Sequence, residues 1–580
     1  SFLYYDRKGS ENEWRKHQVS SVARDLVYYD AKKDTHTILT TNIGEDRDPR
    51  FVPGKNGEMV FLSERVNDEC MNVFRGDYRN PQQAKQITFF EKYPVRFLTV
   101  ANDGTLCFGY QGAIYTQKVD GKPEKVKIDI VNDWQNVPER GKFGRAGSIV
   151  MTPDGKQFAF VSRGEIFVTA DEFTTTKQIT NTAAAESSPS LAPDGRTLVY
   201  CSERDGYYSL YTAKIVRKED PNFAYATLVK EERLFPEDGI ERTYPQFSPN
   251  GKEIAFIESR SVLKVLNLDT KAVRQITDGV QHHGTTASKF SYQWSPDGKW
   301  FCLDLTTNGR DPYTDVGIVS AAGDMKIHNI TDNGYITSRP RWAMDGNAII
   351  FTSNRYGMRS HASWGSQNDA FVAFLNQDAY DRFTMSKEEY ALLKQEEKAA
   401  KDLANKSDKK DDPKAKADAK KEDKPSKDIV VEIDGLDERI IRLTPMSSNV
   451  SSGALSKDGE KFYFIASFEK GQDLWEVDVR ERGIKILKKG IGGGTLAFDD
   501  KGENLFLLSG AGIQKINTKS GNTTQIRYDN TMTLDHAAER KYMFDHIFLQ
   551  QAHRYFNVDN HGADFVQIKK DFEPFLPHIN

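Results

Sequence analysis

The sequence predicts an all-β protein made of tandem β-propellers, and two observations carry this prediction. A hairpin pattern of strand, tight turn and strand recurs nine times along the 580 residues. The copies follow one another at intervals of roughly 40–56 residues, with one interval about twice as long, and such a period is typical of propeller blades. Each hairpin is also followed by two more strand-like segments, the last often ending in an Ile-Thr or Leu-Thr step such as Ile276-Thr277. Each unit therefore supplies the four strands of a blade.

The clearest copy of the hairpin is Thr243–Arg260, TYPQFSPNGKEIAFIESR. Its aromatic and β-branched residues suit strands, Pro249 presets φ in the turn, and Gly251 takes the φ > 0 position that other residues resist. One hairpin alone is only marginally stable, so it is the recurrence that predicts the fold. The other copies are Phe51–Arg65, Phe97–Tyr110, Ile149–Arg163, Pro189–Arg204, Tyr292–Asn308, Pro340–Arg355, Gly453–Ser467 and Thr495–Ser509.

Counting the units divides the chain into domains. Residues 146–530 hold seven copies, enough for one complete seven-bladed propeller. Residues 1–128 hold two full units and the trailing part of a third, which cannot close a ring, so we interpret them as the last part of another propeller. Residues 129–145 are turn-rich, lack the repeat and are expected to be a linker. Residues 531–580 are expected to begin a helical subdomain, with amphipathic helices over 534–556 and 565–575.

The long interval in the repeat predicts an insertion at 365–428, in the fifth unit of the complete propeller. Gly365–Arg382 is expected to continue a strand and a loop. Met385–Asn405 combines a Ser followed by Glu-Glu with good helix formers and apolar residues at helical spacing, which predicts a helix. Lys406–Lys427 consists almost entirely of Lys, Asp, Ala, Ser and Pro, and it cannot bury apolar area. We interpret it as a disordered or solvated segment, with a docking tail as the alternative.

Composition excludes several classes of function. The net charge of −4 gives no electrostatic case for a nucleic-acid partner or an anionic membrane. No apolar run reaches the roughly 18 residues that a membrane span needs. The four cysteines are far apart and mostly within strand-like runs, which predicts buried thiols rather than disulfides or a metal site. They are Cys70, Cys107, Cys201 and Cys302.

Catalytic and metal-binding motifs are not apparent in the sequence. There is no Gly-x-Ser-x-Gly nucleophile elbow. His546 and His553 fall on one face of the expected tail helix but lack the carboxylate–histidine pattern of zinc peptidases, so we expect them to be structural. The acidic Asp-Gly turns are expected to cap their own backbone rather than to bind calcium. No catalytic residue, metal or cofactor is therefore assigned.

Two segments contain arginine, histidine and tryptophan residues that the repeat does not require, and they are the candidate ligand contacts. One lies within Lys8–Arg24, and the other follows a strand end within Arg355–Asn368. Arginine offers a two-pronged donor for carboxylates, and propeller loops commonly carry binding residues. The alternative is that these side chains form ion pairs between blades. The residues proposed for substrate or loop contacts are Trp14, Arg15, His17, Arg355, Arg359, His361 and Trp364.

The repeat and several longer segments of the sequence resemble a known family. The Ser-Pro-Asp-Gly-Lys turn followed by a strand and Ser-x-Arg resembles the TolB-type propeller repeat, which is also WD40-like. The segments GSENEWRKHQVSSVARD (Gly9–Asp25), GEDRDPRF (Gly44–Phe51) and SNRYGMRSHASWGS (Ser353–Ser366) resemble tricorn-type serine proteases. The tail Glu539–Ile579 does so too, with Gly562-Ala563-Asp564-Phe565 where that family usually has Gly-x-Asp-Trp.

The resemblance implies a six-bladed propeller, a seven-bladed propeller and a helical subdomain, followed by a PDZ domain and a second catalytic subdomain. Residues 1–128 would then be the C-terminal part of the six-bladed propeller. The family trims peptides as an oligomer, with its propeller channels guiding substrate and product. Its catalytic serine and histidine motifs and its carboxylate-binding Arg-Arg pair have no counterpart in this sequence, so no catalytic residue is carried over. The resemblance thus implies peptide or unfolded-polypeptide partners and a homo-oligomer.

Two other functions stay open at this stage. One is the propeller of a prolyl-oligopeptidase-type hydrolase, although the amphipathic helices after Asp529 argue against an α/β-hydrolase domain there. The other is a non-catalytic, TolB-like propeller that binds proteins through its loops. TolB-like repeats imply a periplasmic or cell-envelope location, whereas the tricorn type implies the cytoplasm.

Overall fold

The computed structural model describes residues 1–5, 23–66, 70–118, 120–129, 137–282, 291–306, 313–358, 367–407, 428–468, 470–555, 557 and 559–579, apart from the side chains of 401 and 403–407. The chain folds into two compact units. The first unit contains Ser1–Gln135 together with Asp559–Asn580, and the second contains Asn136–Val558. Strands are the main regular structure of the described residues, as the sequence predicts.

The second unit contains seven four-stranded antiparallel sheets within its described residues, each made of four consecutive strands. We call them blades 1–7 in chain order. Blade 1 is Gly147–Met151, Gln157–Ser162, Glu165–Ala170 and Thr176–Gln178; blade 2 is Glu186–Leu191, Thr197–Ser202, Ser209–Ile215 and Val229–Arg233. Blade 3 is Arg242–Phe247, Glu253–Glu258, Val262–Asn267 and Val273–Gln275; blade 4 is Tyr292–Trp294, Trp300–Thr306, Thr314–Ser320 and Ile327–Asn329. Blade 5 is Thr337–Ala343, Ala348–Ser353, Asp369–Phe374 and Ile440–Arg442; blade 6 is Ser452–Leu455, Lys461–Ala466, Asp473–Asp478 and Ile484–Lys488; blade 7 is Thr495–Phe498, Leu505–Ser509, Gly512–Ile516 and Thr523–Ile526.

The turn of each hairpin is held by its own side chains, as blade 3 shows. The Ser248 hydroxyl donates to Asn250 Oδ1 at 2.7 Å, and the same oxygen accepts the Lys252 amide at 3.0 Å. Gly251 takes φ +69° and donates its amide to the Ser248 carbonyl. The acidic residue of the equivalent turns in blades 1, 2, 4 and 6 caps its own backbone in the same way. The expectation that these turns serve the backbone is confirmed.

The threonine of the Ile-Thr step follows the fourth, outermost strand of a blade and bonds to its third strand. Thr180 accepts the Ile166 amide and donates to the Glu165 carboxylate at 2.6 Å. Thr331 makes the same pair of bonds in blade 4, to Val316 and Asp315. A buried hydroxyl needs a partner, so the position calls for a small side chain that both donates and accepts.

Apolar clusters between neighbouring blades close the seven blades into a ring. The buried surfaces of blades 1 and 2, 2 and 3, and so on to 6 and 7, each merge into a shared cluster. A further cluster joins blade 7 to blade 1 through Phe158, Phe506 and Ile526. The Asp500 amide also donates to the Pro153 carbonyl at 2.7 Å across this junction. The complete seven-bladed propeller predicted from the repeat is therefore present.

One short sheet departs from the sequence prediction. Glu139–Lys142, within the expected linker 129–145, forms a strand that pairs antiparallel with Thr531–Leu534. Met532 and Leu534 are buried against Phe160 and Phe167 of blade 1, which explains the pairing, because the strand covers an apolar edge of the ring. The helical region consequently starts at His536 rather than at 531.

The insertion in blade 5 contains two helices, α1 (Gln377–Thr384) and α2 (Lys387–Ser407). The second was predicted, and its Ser386 and Glu389 form the reciprocal capping pair that the Ser-x-x-Glu spacing indicates. Helix α1 was not predicted, since Gly365–Arg382 was expected to be strand and loop. Asn376 caps α1 by accepting the Ala379 amide at 2.9 Å, and Phe383 packs on Phe374. The charged run 406–427 lies almost wholly outside the described residues.

The first unit contains one three-stranded and two four-stranded antiparallel sheets among its described residues. Their strands are Phe2–Tyr5, Leu26–Asp30 and Thr35–Ile38; Asp46–Phe51, Glu58–Ser63, Asn72–Asp77 and Lys85–Gln86; and Arg96–Val100, Leu106–Tyr110, Ala113–Gln117 and Glu124–Lys125. Helix α4 (Phe565–Phe572) belongs to this unit, and its Asp571 accepts bonds from Lys92 and Tyr93. The partial propeller predicted for 1–128 thus belongs to one compact unit together with residues 559–580 at the end of the chain.

The four cysteines are free thiols, and all but the partly buried Cys107 are fully enclosed. Burial raises the pKa of the Cys201 thiol to about 12, which keeps it protonated and unreactive. The expectation of structural thiols is confirmed.

Candidate functional site

The second unit encloses a cavity of about 800 Å³ that is lined mainly by the first strands of its blades. First strands of neighbouring blades also lie against each other, as those of blades 1, 2 and 3 do. The first strands are therefore innermost, and the cavity is the central channel of the ring. Ligand sites in proteins are usually concave and few, so this channel is the candidate functional site.

The register of the hairpins identifies the residues that reach the channel. In every blade one residue of the first strand pairs with the residue nine positions later in the second strand, as Ser190 pairs with Val199. We call these seven residues circle B, and the residues two positions before them circle A. Circle B is Val150, Ser190, Gln246, Gln293, Arg341, Ala454 and Ala497. Circle A is Ser148, Ser188, Tyr244, Ser291, Arg339, Ser452 and Thr495.

Both circles are mostly small or uncharged, and ten of their fourteen residues line the channel. Arg341 is the one charged residue among the described residues of the channel lining. Six prolines also line it and present carbonyl oxygens without amides. The channel is thus lined by hydroxyls, amides and one guanidinium together with prolines and other apolar side chains.

Four first strands of the ring carry a β-bulge whose circle A residue has positive φ. Ser148, Ser188, Tyr244 and Arg339 have φ between +46° and +60°, and the pairing register shifts at the same place in each strand. Non-glycine residues rarely adopt this conformation, and in three of the four the next residue is proline. The bulge bends the strand at the channel wall, so it re-aims the circle A side chains.

Side chains link the first strands of successive blades around the channel. Gln246 donates to the Tyr292 carbonyl at 2.9 Å, and Gln293 accepts the Trp342 amide at 3.1 Å. The indole of Trp294 donates to the Gln246 carbonyl at 3.3 Å. These bonds use backbone groups of the neighbouring first strand, and they hold the wall in one geometry.

Arg341 reaches from blade 5 past blade 6. Its Nη1 donates to the Leu496 carbonyl of blade 7 at 2.9 Å. Burial, together with the nearby Arg339, lowers the pKa of Arg341, although an arginine stays charged at any physiological pH. The wall therefore carries positive charge on one side.

Helix α3 (His536–Arg554) lies on the face of the ring formed by the loops between second and third strands. The Glu203 carboxylate in blade 2 accepts bonds from Tyr542, His546 and, at 3.2 Å, Gln550. Arg163 of blade 1 pairs with Glu539 at 2.7 Å, and His553 contacts Glu241 before blade 3 at 3.1 Å. Both histidines of the helix thus have structural carboxylate partners, as expected.

The loop residues proposed from the sequence have mixed outcomes. Trp14, Arg15, His17, Arg359, His361 and Trp364 lie outside the described residues. Arg355 is described: it is exposed beyond the second strand of blade 5, and its guanidinium lies over the rings of Tyr335 and Tyr356 at 5.9 and 5.5 Å. It is not part of the channel lining, and its role in ligand contact stays a prediction.

Sequence reasoning missed the residues that line the channel. The signal was present in the first strand of blade 5, where Ser338–Trp342 reads Ser-Arg-Pro-Arg-Trp and both arginines belong to the circles. The repeat alignment treated this strand as one more copy. Only the structure shows that Arg341 of this strand lines the channel, whereas Arg339 bonds to the Ser451 carbonyl beside blade 6.

Among the residues that the structure describes, no group of three or more His, Cys, Asp or Glu side chains is arranged to hold a metal ion. None of the helices they form has both the length and the hydropathy of a membrane span.

Comparison with known proteins gives a family match at the end of the chain. Residues 536–580 match the family described as the tricorn protease C1 domain. The curated protein "Tol-Pal system protein TolB" of Francisella tularensis subsp. mediasiatica (strain FSC147) is 34% identical over 96 residues, 16% of this chain and 19% of that protein. The chain therefore spans a small part of the TolB length.

Among solved structures, the crystal structure of the tricorn protease is similar along the whole chain. The TM-score is 0.68 at 13% identity, and the match covers 100% of this chain and 52% of that one. A TolB structure from Acinetobacter baumannii gives a TM-score of 0.31 at 15% identity, covering 68% of this chain and 79% of that one. The tandem propellers and the terminal helices thus follow the tricorn layout, and the chain spans about half the length of that protein.

Proposed function

From the premise that this chain is a tricorn-like propeller protein, we propose that it supplies the propellers of a serine peptidase of the tricorn type, which degrades or trims peptides. The observation that carries the proposal is the match of residues 536–580 to a peptidase domain, directly after a complete propeller in the same order as in the tricorn structure. In this proposal the reaction takes place on residues outside 1–580, because the sequence contains no motif for the nucleophilic serine.

The channel of the second unit is proposed to guide peptides. Its lining of hydroxyls, amides and proline carbonyls offers hydrogen bonds to a peptide backbone without selecting one side chain. Its volume of about 800 Å³ suits an extended segment of a few residues rather than a folded protein. The proposed partners are peptides or unfolded polypeptides, and the peptidase is proposed to act as a homo-oligomer.

The test compares residues 1–580 with the full product of the gene that encodes them. We expect residues 1–580 to leave a mixture of fluorogenic peptides uncleaved, and the full gene product to cleave it and to be blocked by a serine-reactive phosphonate. Hydrolysis by residues 1–580 alone would overturn the assignment.

A second arm of the same experiment tests the channel. Thr495 is exposed and lines the channel, so Thr495→Cys labelled with a bulky maleimide should slow cleavage of long peptides. The same label on Lys156→Cys, in an exposed turn of blade 1, is the control and should leave the rate unchanged. Equal rates for the two labelled proteins would remove the channel from the proposal.

A non-catalytic binding protein is the second candidate, favoured by the local identity to TolB. In that case the full gene product would bind peptides or a protein partner and hydrolyse neither. The envelope location that TolB-type repeats imply is part of our proposal, with the cytoplasm as the alternative, and cell fractionation decides between them.

A further inference from the structure

Helix α3 meets the ring through a stripe of polar side chains spaced three or four residues apart. Residues at this spacing lie on one face of a helix. Each member of the stripe bonds to a charged side chain of blades 1–3 or of their flanking loops. The members are Glu539, Tyr542, His546, Gln550 and His553. The two histidines are therefore part of the attachment itself, and histidine is the residue type that ordinarily changes its charge near neutral pH.

The Glu203 carboxylate depends on His546 for its charge balance. Its side chain is 1% exposed, and among the described residues His546 is the basic group within ion-pair distance of it. Tyr542 and Gln550 also donate to Glu203, but both are neutral. Burying a carboxylate charge without a counter-ion is costly. A protonated imidazole supplies the positive charge, whereas a neutral one supplies at most a hydrogen bond. The His546 side chain is 32% exposed, so protons from the solvent can reach it.

His553, in contrast, faces a carboxylate that already has a permanent partner. Its Nδ1 lies 3.1 Å from Glu241, and Arg260 pairs with the same carboxylate at 3.3 Å. Arg260 also donates to the His553 backbone carbonyl. Because an arginine stays charged at any physiological pH, Glu241 keeps a counter-ion whether or not His553 is protonated. His553 therefore contributes less to a pH dependence than His546.

The remaining ionisable groups at this contact give little further pH dependence. His536, at the start of the helix, lies 3.2 Å from Glu139, but both side chains are exposed, so water and salt screen the pair. The others are carboxylates, arginines and tyrosines, which do not ordinarily change charge between pH 6 and 8.5. They are Glu539, Arg163, Tyr208, Arg260 and Arg554.

We propose that the His546–Glu203 contact is a pH-sensitive attachment for helix α3, which is firm while His546 is protonated and loosens when it is neutral. The helix is then held most firmly on the acid side of neutral pH. The first strands begin on the face that α3 crosses, as the pairing of Glu186 with Ser202 beside Glu203 shows. The circle A end of the channel therefore opens on the same face. The contact involves only α3 and the ring, so it is independent of the proposed peptide trimming.

Hydrogen exchange of residues 1–580, measured by mass spectrometry at pH 6.0 and 8.5, tests the proposal. Each rate is divided by the intrinsic rate of the unstructured peptide at the same pH, which gives a protection factor. Trp300–Thr306 and Ala348–Ser353, the second strands of blades 4 and 5, are the reference. Charge-assisted hydrogen bonds are roughly twice as strong as neutral ones, so the protection of 536–554 should fall about fivefold more than that of the reference. A loss of stability of the whole ring would change helix and reference together.

Variants assign the pH dependence to the contact. His546→Gln keeps a donor for Glu203 but cannot gain a charge, so its α3 should be weakly protected at both pH values. Glu203→Gln removes the carboxylate that needs the charge, and it should also abolish the pH dependence. His553→Gln should keep most of the dependence, because Arg260 still balances Glu241. His328→Gln, in the fourth strand of blade 4, is the matched control and should behave like the parent protein.

Three results would overturn the proposal. In the first, the protection of α3 in the parent protein follows the reference strands at both pH values. In the second, His546→Gln keeps the pH dependence of the parent protein. In the third, His553→Gln alone abolishes it, which would assign the effect to Glu241. Thermal melts show whether each variant is folded; if His546→Gln is not, Glu203→Gln decides in its place, and the parent comparison stands without either. Cleavage of peptides is not measured, so a failure of the peptidase proposal leaves the result unaffected.

Discussion

Glu165 is an acidic side chain enclosed between blades 1 and 2, where it faces a second buried carboxylate. Its two oxygens accept the Thr180 hydroxyl at 2.6 Å and the Thr182 amide at 2.7 Å. The Thr182 hydroxyl donates to Glu186 at 2.9 Å, and Arg204 pairs with Glu186. Burial, and then the Glu186 charge, raise the pKa of Glu165 to about 8. Near neutral pH the pair therefore carries one negative charge rather than two, matched by Arg204.

This pKa predicts that the ring loses stability as the pH rises. The ordinary pKa of a glutamate is 4.5, so between there and about 8 the folded protein holds a proton on Glu165 that the unfolded chain has released. Raising the pH through this window then favours unfolding, by a few kcal/mol in total. Urea denaturation at pH 5.5 to 8.5 should show the decline in the free energy of unfolding.

Glu165→Gln is the matched variant for this prediction. It keeps an oxygen for the Thr182 amide and cannot ionise, so its stability should vary less with pH than that of the parent protein. Equal slopes for the two proteins would show that Glu165 is not the source of the decline.

Residue types along the repeat could be predicted from the sequence, but their surroundings could not. The turn prolines, the turn glycines and the Ile-Thr step are local signals, because each acts on backbone within a few residues. The partners of Glu165 lie 15 to 21 residues away, at the end of its own blade, in the loop that follows and in the first strand of blade 2. A pKa shift depends on such neighbours and on burial, which the order of residues does not show.

Helix α3 is the element that covers part of the propeller face, and polar contacts attach it. None of its side chains is fully buried. The Glu203 carboxylate, in contrast, is almost wholly enclosed and receives three bonds from the helix. Burial and the bond to Glu203 also raise the pKa of Tyr542, which keeps the phenol protonated as a donor. The attachment of α3 therefore depends on one carboxylate more than on apolar packing.

Glu203→Ala should release helix α3 while leaving the blades folded. Hydrogen bonds to a buried charge contribute roughly 1.5–3 kcal/mol each, so amide exchange across 536–554 should speed up at least tenfold. Hydrogen-exchange mass spectrometry measures this directly. Glu481→Ala, which removes an exposed pair with Lys387, is the control and should leave exchange in α3 unaltered. Unchanged protection in the Glu203 variant would mean that apolar contacts hold the helix.

Elements with a strong local pattern were predicted well, and those without one were missed. The nine hairpins and helices α2 and α3 follow from periodicity and turn chemistry. Helix α1 and the strand Glu139–Lys142 were missed. The helix is short and stabilised by Phe383 against Phe374, and the strand exists because Thr531–Leu534 offers a partner far along the chain. Both depend on tertiary contacts.

The seven-bladed ring closes by side-chain packing between its first and last blades. Each of its sheets consists of four consecutive strands, so no strand from one end of the ring completes a sheet at the other. Phe506 of blade 7 and Phe158 of blade 1 are buried against each other, with ring centroids 5.5 Å apart. Outside the blades, Glu139–Lys142 before blade 1 pairs with Thr531–Leu534 after blade 7, so the junction is held by this short sheet as well as by side-chain packing.

Phe506→Ala should open this junction in particular. Truncating a buried phenylalanine costs about 3–5 kcal/mol, and hydrogen exchange should then rise in blades 1 and 7 before it rises elsewhere. Phe301→Ala, which truncates a buried ring between blades 3 and 4, is the matched control. It should cost a similar amount and loosen blades 3 and 4 instead. If exchange after Phe506→Ala rises evenly around the ring, the ring opens as one unit and the junction is not special.

At the scale of the molecule, the sequence by itself determined the repeat, the number of blades in the complete ring, the place of the insertion and the helical end. These follow from local rules, since a hairpin is specified by its own alternation and its own turn. The tertiary structure alone decided which residues face the channel, that Arg341 lies there among uncharged residues, and that Glu203 holds helix α3. The physical reason is that these features arise where separate blades come together. Burial, charge balance and register are set there by residues far apart in the chain, and only the closed ring brings them into contact.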